Sequence, residues 1–421
     1  MKKIPVIMLV SLGTVCASAQ AENLQEALSG GTFTGEIRNT LGLATQTDAK
    51  ASGPFNNAKS LGSAITLDYL TGAYYGFTLG LGAQSGYDWG LQSNDVSSFV
   101  GGENDRRVTT DATSLYHAFL QYDFDKTITD TRVRFGRQSL VSPLVMTDGM
   151  YPMQDTYDAL VIQNKDFNKT DLRFMYISKW NRRYGDDNEG SITEATKEFD
   201  NPLVSLYLNN NSIEGLNIEA QWLSNNNDEG VGDPPADVNA HDYDTSFLGL
   251  TYKIPDSTWE LGAKNLSANF DDSADTGYWG ARVKKTFDGI GVQLAYTSVD
   301  DAANFPGSLG HVPMFRAYSP GLTPEVFAGL KATSIAVDYN FDVPGLFTRV
   351  GYTSYKQSDE GIKNSIDNDL DGGYEASLQV NYKPASIKGL STIVQLSYMD
   401  YDQDVDTDDM TVLRTSLNYK F

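Results

Sequence analysis

The chain ends in TVLRTSLNYKF (411–421). Side chains alternate across a strand, so Leu413, Thr415, Leu417, Tyr419 and Phe421 share one face. Val412, Arg414, Ser416, Asn418 and Lys420 share the other. One face is apolar and finishes in aromatics, while the other is polar and basic. A strand with lipid on one side and water on the other needs this division, which is that of a transmembrane β-barrel wall.

The same period-two pattern recurs in about eighteen segments between residue 32 and residue 421, with almost no helical stretch. Most are about 9–12 residues long, enough for a tilted membrane-crossing strand. Connections alternate in length. FDGIG (287–291), FDVPG (341–345) and KPASIKG (383–389) are short and rich in Gly, Pro, Asn and Asp, as tight turns require. Stretches such as 85–111, 181–201 and 300–331 are long. Short turns at one end and long loops at the other are the asymmetry of outer-membrane barrels, and an even strand count leaves both termini on the periplasmic side. A secreted sandwich or β-helix would not alternate connection lengths in this way.

The first 21 residues read differently. Two lysines, an apolar run and small residues at Ala19 and Ala21 form a secretory leader, so the mature domain is expected to be 22–421. The only cysteine, Cys16, lies in that leader, which excludes a disulfide-stapled fold. Segment 22–31 is expected to form a short helix with Leu24, Ala27 and Leu28 on one face. The formal charge is −23, which argues against nucleic-acid binding. Mean hydropathy is −0.36, and no later stretch is apolar enough for a transmembrane helix.

Three stretches carry a family likeness: ENLQEALSGGTFTGEIR (22–38), VRFGRQSLVSPLVMTDGMYPMQDTYDALVIQN (133–164) and TVLRTSLNYKF (411–421). The whole chain resembles the OprD-type porins, including the major outer-membrane porins of epsilonproteobacteria. The resemblance implies an eighteen-stranded barrel in the outer membrane of a Gram-negative bacterium. It also implies a homotrimer, a lumen passing small polar solutes and ions, and a terminal Phe421 read by the barrel assembly machinery. The external loops depart from the family, so substrate preference does not carry over.

Two loops are apolar. Segment 139–155 holds Leu140, Leu144, Val145 and Met153; segment 300–330 holds Phe305, Leu309, Phe327 and Leu330. Leaving such surface in water costs about 25 cal/mol per Å². Both are therefore expected to fold inward and constrict the pore, and the family places constriction loops at the same positions. Strand parity points Arg38, Arg132, Arg134, Arg173, Lys179, Arg282, Arg349 and Arg414 inward. Arg137 ends the strand leading into the first loop, and Arg316 lies in the second. With Asp148 and Asp155 opposite, these residues are expected to set a transverse field in the eyelet.

Asp367, Asp369 and Asp371, followed by Gly372, match the first half of a calcium loop. Leu378 stands where the bidentate Glu belongs, so any calcium site there would be weak, and a solvated acidic loop is the simpler reading. His117, His241 and His311 show no metal spacing, and no cofactor or enzyme motif is present. The expected function is passive diffusion of small hydrophilic solutes and ions, slightly cation-selective because of the acidic loops. The alternative is an adhesin or structural barrel acting through those loops.

Overall fold

The computed structural model describes residues 21–46, 57–92, 112–147, 151–183, 196–227, 242–271, 273–306, 309, 323, 325–365, 369–400 and 409–421. The expected leader, Ala21 excepted, lies outside the described residues. After a short helix α1 (Leu24–Ser29) come β1 (Thr32–Gln46), β2 (Ala58–Leu70), β3 (Phe77–Asp88), β4 (Thr113–Asp123), β5 (Thr131–Gln138) and β6 (Thr156–Asn164). Then follow β7 (Thr170–Asn181), β8 (Thr196–Asn210), β9 (Leu216–Asn225), β10 (Tyr243–Lys253), β11 (Trp259–Phe270) and β12 (Thr276–Phe287). The last six are β13 (Ile290–Val299), β14 (Lys331–Asn340), β15 (Leu346–Lys356), β16 (Tyr374–Tyr382), β17 (Leu390–Asp400) and β18 (Met410–Lys420). A second short helix, α2 (Asp359–Asn364), lies between β15 and β16.

Each strand pairs antiparallel with its sequence neighbours, and β18 pairs back onto β1 from Lys420–Glu36 to Met410–Gln46. The sheet is a closed transmembrane barrel with no open edge, so the wall satisfies its own backbone groups.

Alternation sets the two faces. On β14, Ile335, Val337 and Tyr339 are exposed while Ala332, Ser334, Ala336 and Asp338 are buried. On the face opposite the inward charges, Phe135, Tyr176, Trp279, Val350, Tyr352, Leu396, Leu417 and Tyr419 are exposed. Phe174 and Tyr398 are half-buried on the same face. Aromatics gather at both ends of this band. At the turn end Phe77 meets Tyr122 (4.6 Å between ring centroids) and Tyr339 meets Phe341 (4.6 Å). At the loop end Trp279 meets Tyr296 (5.2 Å) and Tyr352 meets Tyr374 (5.5 Å). Amphipathic rings at both membrane interfaces, with aliphatics between, are what a lipid-embedded barrel requires. Lys285 Nζ lies over the rings of Trp259 and Phe287, 4.5 and 4.9 Å from their centroids.

Short turns follow from their residues. Asp288 and Gly289 both have positive φ (41° and 90°) and join β12 to β13 in the two-residue hairpin that Asp-Gly favours. In the third short turn upstream, between β6 and β7, Asp166 accepts from Asp130 N, Thr129 Oγ1 and Asn164 Nδ2. These bonds hold its carboxyl below the ordinary value and tie two turns together.

Three pairings in the β3–β8 wall shift register, β3–β4 at Gly82/Ala83, β6–β7 at Asp158/Ala159 and β7–β8 at Ile177/Lys179, the last two around the same residue, Ser178. The last reverses one sequence expectation. A bulge at Ser178 turns Lys179 from the lumen to the outside, where it pairs with Glu198 at 2.6 Å. In the N-terminal helix Ala27 is buried, and Leu24 and Leu28 are exposed. The stretch before β16, expected as an open loop, contains α2, capped by Ser358 Oγ accepting from Gly361 N.

The barrel seam depends on the last residue. Phe421 N–H donates to Gly35 O and Gly35 N–H to Phe421 O, both at 2.9 Å. The Phe421 ring covers Gly35 so closely that a Cβ there would lie 2.4 Å from the ring. Deleting Phe421 removes both bonds and this cover. The deletion should lower the temperature at which the heat-modifiable barrel unfolds on gel electrophoresis and reduce barrel recovered from membranes. Wild-type values for both would show that the seam closes without it.

Candidate constriction of the barrel lumen

The segment after β5 does not leave the barrel. Leu140, Leu144 and Val145 are buried against Tyr157, Met175, Ile177 and Leu223 on the inner wall. Polar groups fix its course. Leu144 N–H donates to Gln221 Oε1 (2.7 Å), and Gln221 Nε2 donates to Ser142 Oγ (3.0 Å). Arg173 Nη1 donates to Val141 O (2.9 Å). The returning half reaches the other side of β5. Gln84 on β3 exchanges two bonds with the Gln154 backbone (2.9 and 3.0 Å), and Arg38 on β1 donates to Tyr151 O (3.3 Å). The segment is thus gripped from β1 to β9.

The second apolar segment meets it. Val145 and Leu309 form a parallel bridge, with Met146 N donating to Leu309 O (2.9 Å) and Leu309 N to Leu144 O (3.1 Å). Tyr157 Oη, rising from β6, donates to both Met146 O and Leu309 O. Farther on, Phe327 and Leu330 are buried with Tyr355, Leu370, Met399 and Met410. Thr323 donates to Glu375 Oε2 through N and Oγ1 (3.0 and 2.8 Å), and Gln357 Nε2 donates to Ala328 O (2.7 Å). A barrel lumen offers these apolar side chains a wall to pack on, and the wall supplies partners for the loop backbone.

Charged side chains line the inner wall in pairs. Arg132 pairs with Asp123 (2.5 Å), Arg173 with Asp171 (2.6 Å) and Arg282 with Glu260 (2.7 Å). Lys284 and Arg349 share Asp338. Arg38 is buried against Glu36 at 2.9 Å, and Arg414 is half-buried on the inward face opposite Gln395. Arg134 meets a neutral partner instead. Its Nε and Nη2 donate to the neutral Gln121 Oε1 (2.9 and 2.5 Å), and its guanidinium lies over Phe119 at 4.4 Å. On the β4–β7 wall three inward arginines therefore face two aspartates, and Arg134 carries the excess.

Two residues expected in the eyelet are not there. Arg137 shares the face of Phe135, which is 68% exposed to the outside, and it pairs with outward Asp158 at 2.8 Å. Strand parity forces this, since Arg132 and Arg134 already occupy the inward positions. With Leu115, Leu160 and Tyr176, the pair lines an outer groove of about 470 Å³. Asp155 is fully buried and pairs with Arg183 at 2.5 Å, also accepting from Arg183 N at 2.6 Å. It anchors the loop through this pair. Asp148, Arg316 and Asp367 lie outside the described residues. Asp369 accepts from Asp371 N in a local turn, and Asp371 accepts from Gln357 N across the loop.

Gln84, Gln221, Tyr157 and Arg183 hold the constriction together, yet sequence reasoning did not single them out. Parity would place Gln221 inward, between Glu219 and Leu223. Nothing local shows that a loop 77 residues earlier lands on it.

Replacing Arg134 by Ala removes the excess inward charge and should shift the reversal potential toward cations in a planar bilayer across a KCl gradient. Arg137→Ala, which acts outside the barrel, should leave it unchanged. Equal shifts from both would contradict this placement. Breaking a buried ion pair by removing one member costs about 3–5 kcal/mol. Asp155→Asn should therefore free the returning half of the loop and raise single-channel conductance and current noise. A wild-type trace would mean that Arg38 and Gln84 hold it unaided.

No protein-family model matches the sequence, and no curated protein matches it. Solved structures do. OccD3 (OpdP) of Pseudomonas aeruginosa is 16% identical with a TM-score of 0.71, covering 94% of this chain and 92% of that one. OccAB1 of Acinetobacter baumannii is 12% identical with a TM-score of 0.72, covering 96% of this chain and 99% of that one. OccK8 (OprE) of Pseudomonas aeruginosa is 14% identical with a TM-score of 0.67, covering 94% and 99%. At these identities the likeness is one of fold, and over nearly its whole length this chain has the closed-barrel fold of the Occ proteins.

Proposed function

We propose that the protein is an outer-membrane porin of the OprD type, a passive channel for small hydrophilic solutes and ions. One observation carries the proposal. Inside a closed barrel with an apolar outer band, two chain segments meet through the Val145–Leu309 bridge and narrow a lumen lined by charged pairs. A purely structural barrel has no use for a polar, charge-lined interior held at a defined width. The fold likeness to the Occ proteins supports the same reading. Solutes would cross by diffusion, oriented by the alternating charges of the wall and selected by size at the constriction.

Slight cation selectivity belongs to this proposal. The inner-wall arginines and lysines are mostly neutralised by carboxylates, so the chain's formal charge of −23 acts chiefly from the polar loops at the mouth. Acidic loops concentrate cations there, most at low salt, where screening is weakest. A homotrimer is proposed from the family resemblance, and native mass in detergent decides it. No cofactor is required for diffusion.

The purified protein in planar bilayers should give discrete ion-conducting steps. The zero-current potential should indicate mild cation preference at 0.1 M KCl, fading toward 1 M. Anion preference at low salt would place control at the arginine wall. Absence of steps would sink the channel reading in favour of a barrel that displays its loops as an adhesin.

A further inference from the structure

Near the root of the first loop, three side chains from three parts of the chain meet on the inner wall. Asp68 stands on β2, His117 on β4, and Ser139 directly follows β5. Asp68 Oδ1 lies 2.7 Å from His117 Nδ1, and His117 Nε2 lies 2.8 Å from Ser139 Oγ. An ionised carboxylate only accepts hydrogen bonds, so the proton sits on Nδ1. In the neutral ring Nε2 then offers its lone pair to the serine hydroxyl.

The imidazole is held from several sides. Tyr116 Oη donates to the second oxygen of Asp68, and the Tyr116 ring stacks on His117 with centroids 4.0 Å apart. A register fault makes this possible. Gly82 pairs with His117 but Ala83 pairs with Leu115, so the extra residue Tyr116 and its neighbour His117 both turn inward toward Asp68. Gly82 leaves the room: a Cβ there would lie 2.4 Å from Asp68 Oδ1. His117 and Asp68 side chains retain 18% and 31% exposure, and Ser139 is half-buried, so the group is open to the lumen.

We propose that Ser139 is a reactive nucleophile, activated by the Asp68–His117 pair, that takes an acyl or phosphonyl group from activated electrophiles entering the lumen. A carboxylate on Nδ1 and a serine on Nε2 is the order that lets imidazole withdraw the hydroxyl proton as oxygen attacks. With a fluorophosphonate, Ser139 Oγ forms a bond to phosphorus and the P–F bond breaks. The hydroxyl proton passes to His117 Nε2 and leaves with fluoride as HF. The proposed step ends at the adduct.

The test uses the folded full chain in detergent with a fluorophosphonate probe, read by peptide mass spectrometry. Ser139 should be labelled at least about tenfold faster than any other serine, consistent with the about 10²–10⁴-fold that a positioned base contributes. His117→Gln keeps an amide able to bond Asp68 and Ser139 but removes the base, and should slow labelling about hundredfold while the heat-modifiable barrel persists. No selective adduct at Ser139, or an equal rate in His117→Gln, would overturn the proposal and leave the triplet as a strut for the loop root. A second measurement covers a variant that fails to fold. In a Cys16→Ser background with His117 intact, Ser139→Cys should react with iodoacetamide at least about tenfold faster than free cysteine at the same pH. Equal rates would likewise overturn the proposal.

Discussion

The β18–β1 pairing is the interaction on which the structure depends. A sheet in lipid cannot leave N–H and C=O groups unpaired, because hydrocarbon offers them no partner. Closure between the first and last strands removes the two edges that an eighteen-stranded sheet would otherwise have. The chain places Phe421 at that seam, bonded to Gly35 in both directions and lying over its bare backbone. The remaining pairings are local hairpins and follow in sequence order. This one joins residues at opposite ends of the chain, so it carries the largest loop-closure entropy and completes the wall.

Closure also creates the space that function needs. An inner wall of small, polar and charged side chains cannot fill a barrel of this strand number, and water enters. The apolar segments after β5 and β13 reverse that over part of the cross-section. They bury Leu144, Val145, Phe305 and Leu309 against the wall. Their backbones are then satisfied by wall side chains such as Gln221, Gln84 and Tyr157. The constriction is therefore a packed structure, held by a hydrophobic cluster and a set of directed hydrogen bonds. Open space remains where charged pairs line the uncovered wall.

The β3–β8 wall departs most from regularity. All three shifted pairings lie there, and β5 is only eight residues long. Each bulge re-aims side chains that a regular strand would send elsewhere. One sends Lys179 outward. Another turns Tyr116 and His117 inward together, against Asp68. The first loop springs from this wall, so irregular geometry and the constriction share one location. Such clustering is expected where a sheet must release a chain segment into its own interior.

Much of this was legible in the sequence, for a physical reason. Lipid outside and water inside force a two-residue alternation on every strand. Eighteen strands, their turns, the outward aromatics and the inward Arg132, Arg134, Arg173, Arg282 and Arg349 all follow from that one rule. The apolar character of 139–155 and 300–330 already implied that these loops needed cover. Parity itself also contained the correction for Arg137, since it falls on the same face as Phe135. The rest was decided only by tertiary structure. A bulge shifts parity by one residue and leaves no local mark, so Lys179 could not be placed. The choice of Arg183 as the partner of Asp155, of Gln221 for Leu144, and of His117 for both Asp68 and Ser139 joins residues 22 to 77 positions apart. Such pairings depend on where a closed wall brings its strands and loops together, and alternation along a single strand carries no information about that.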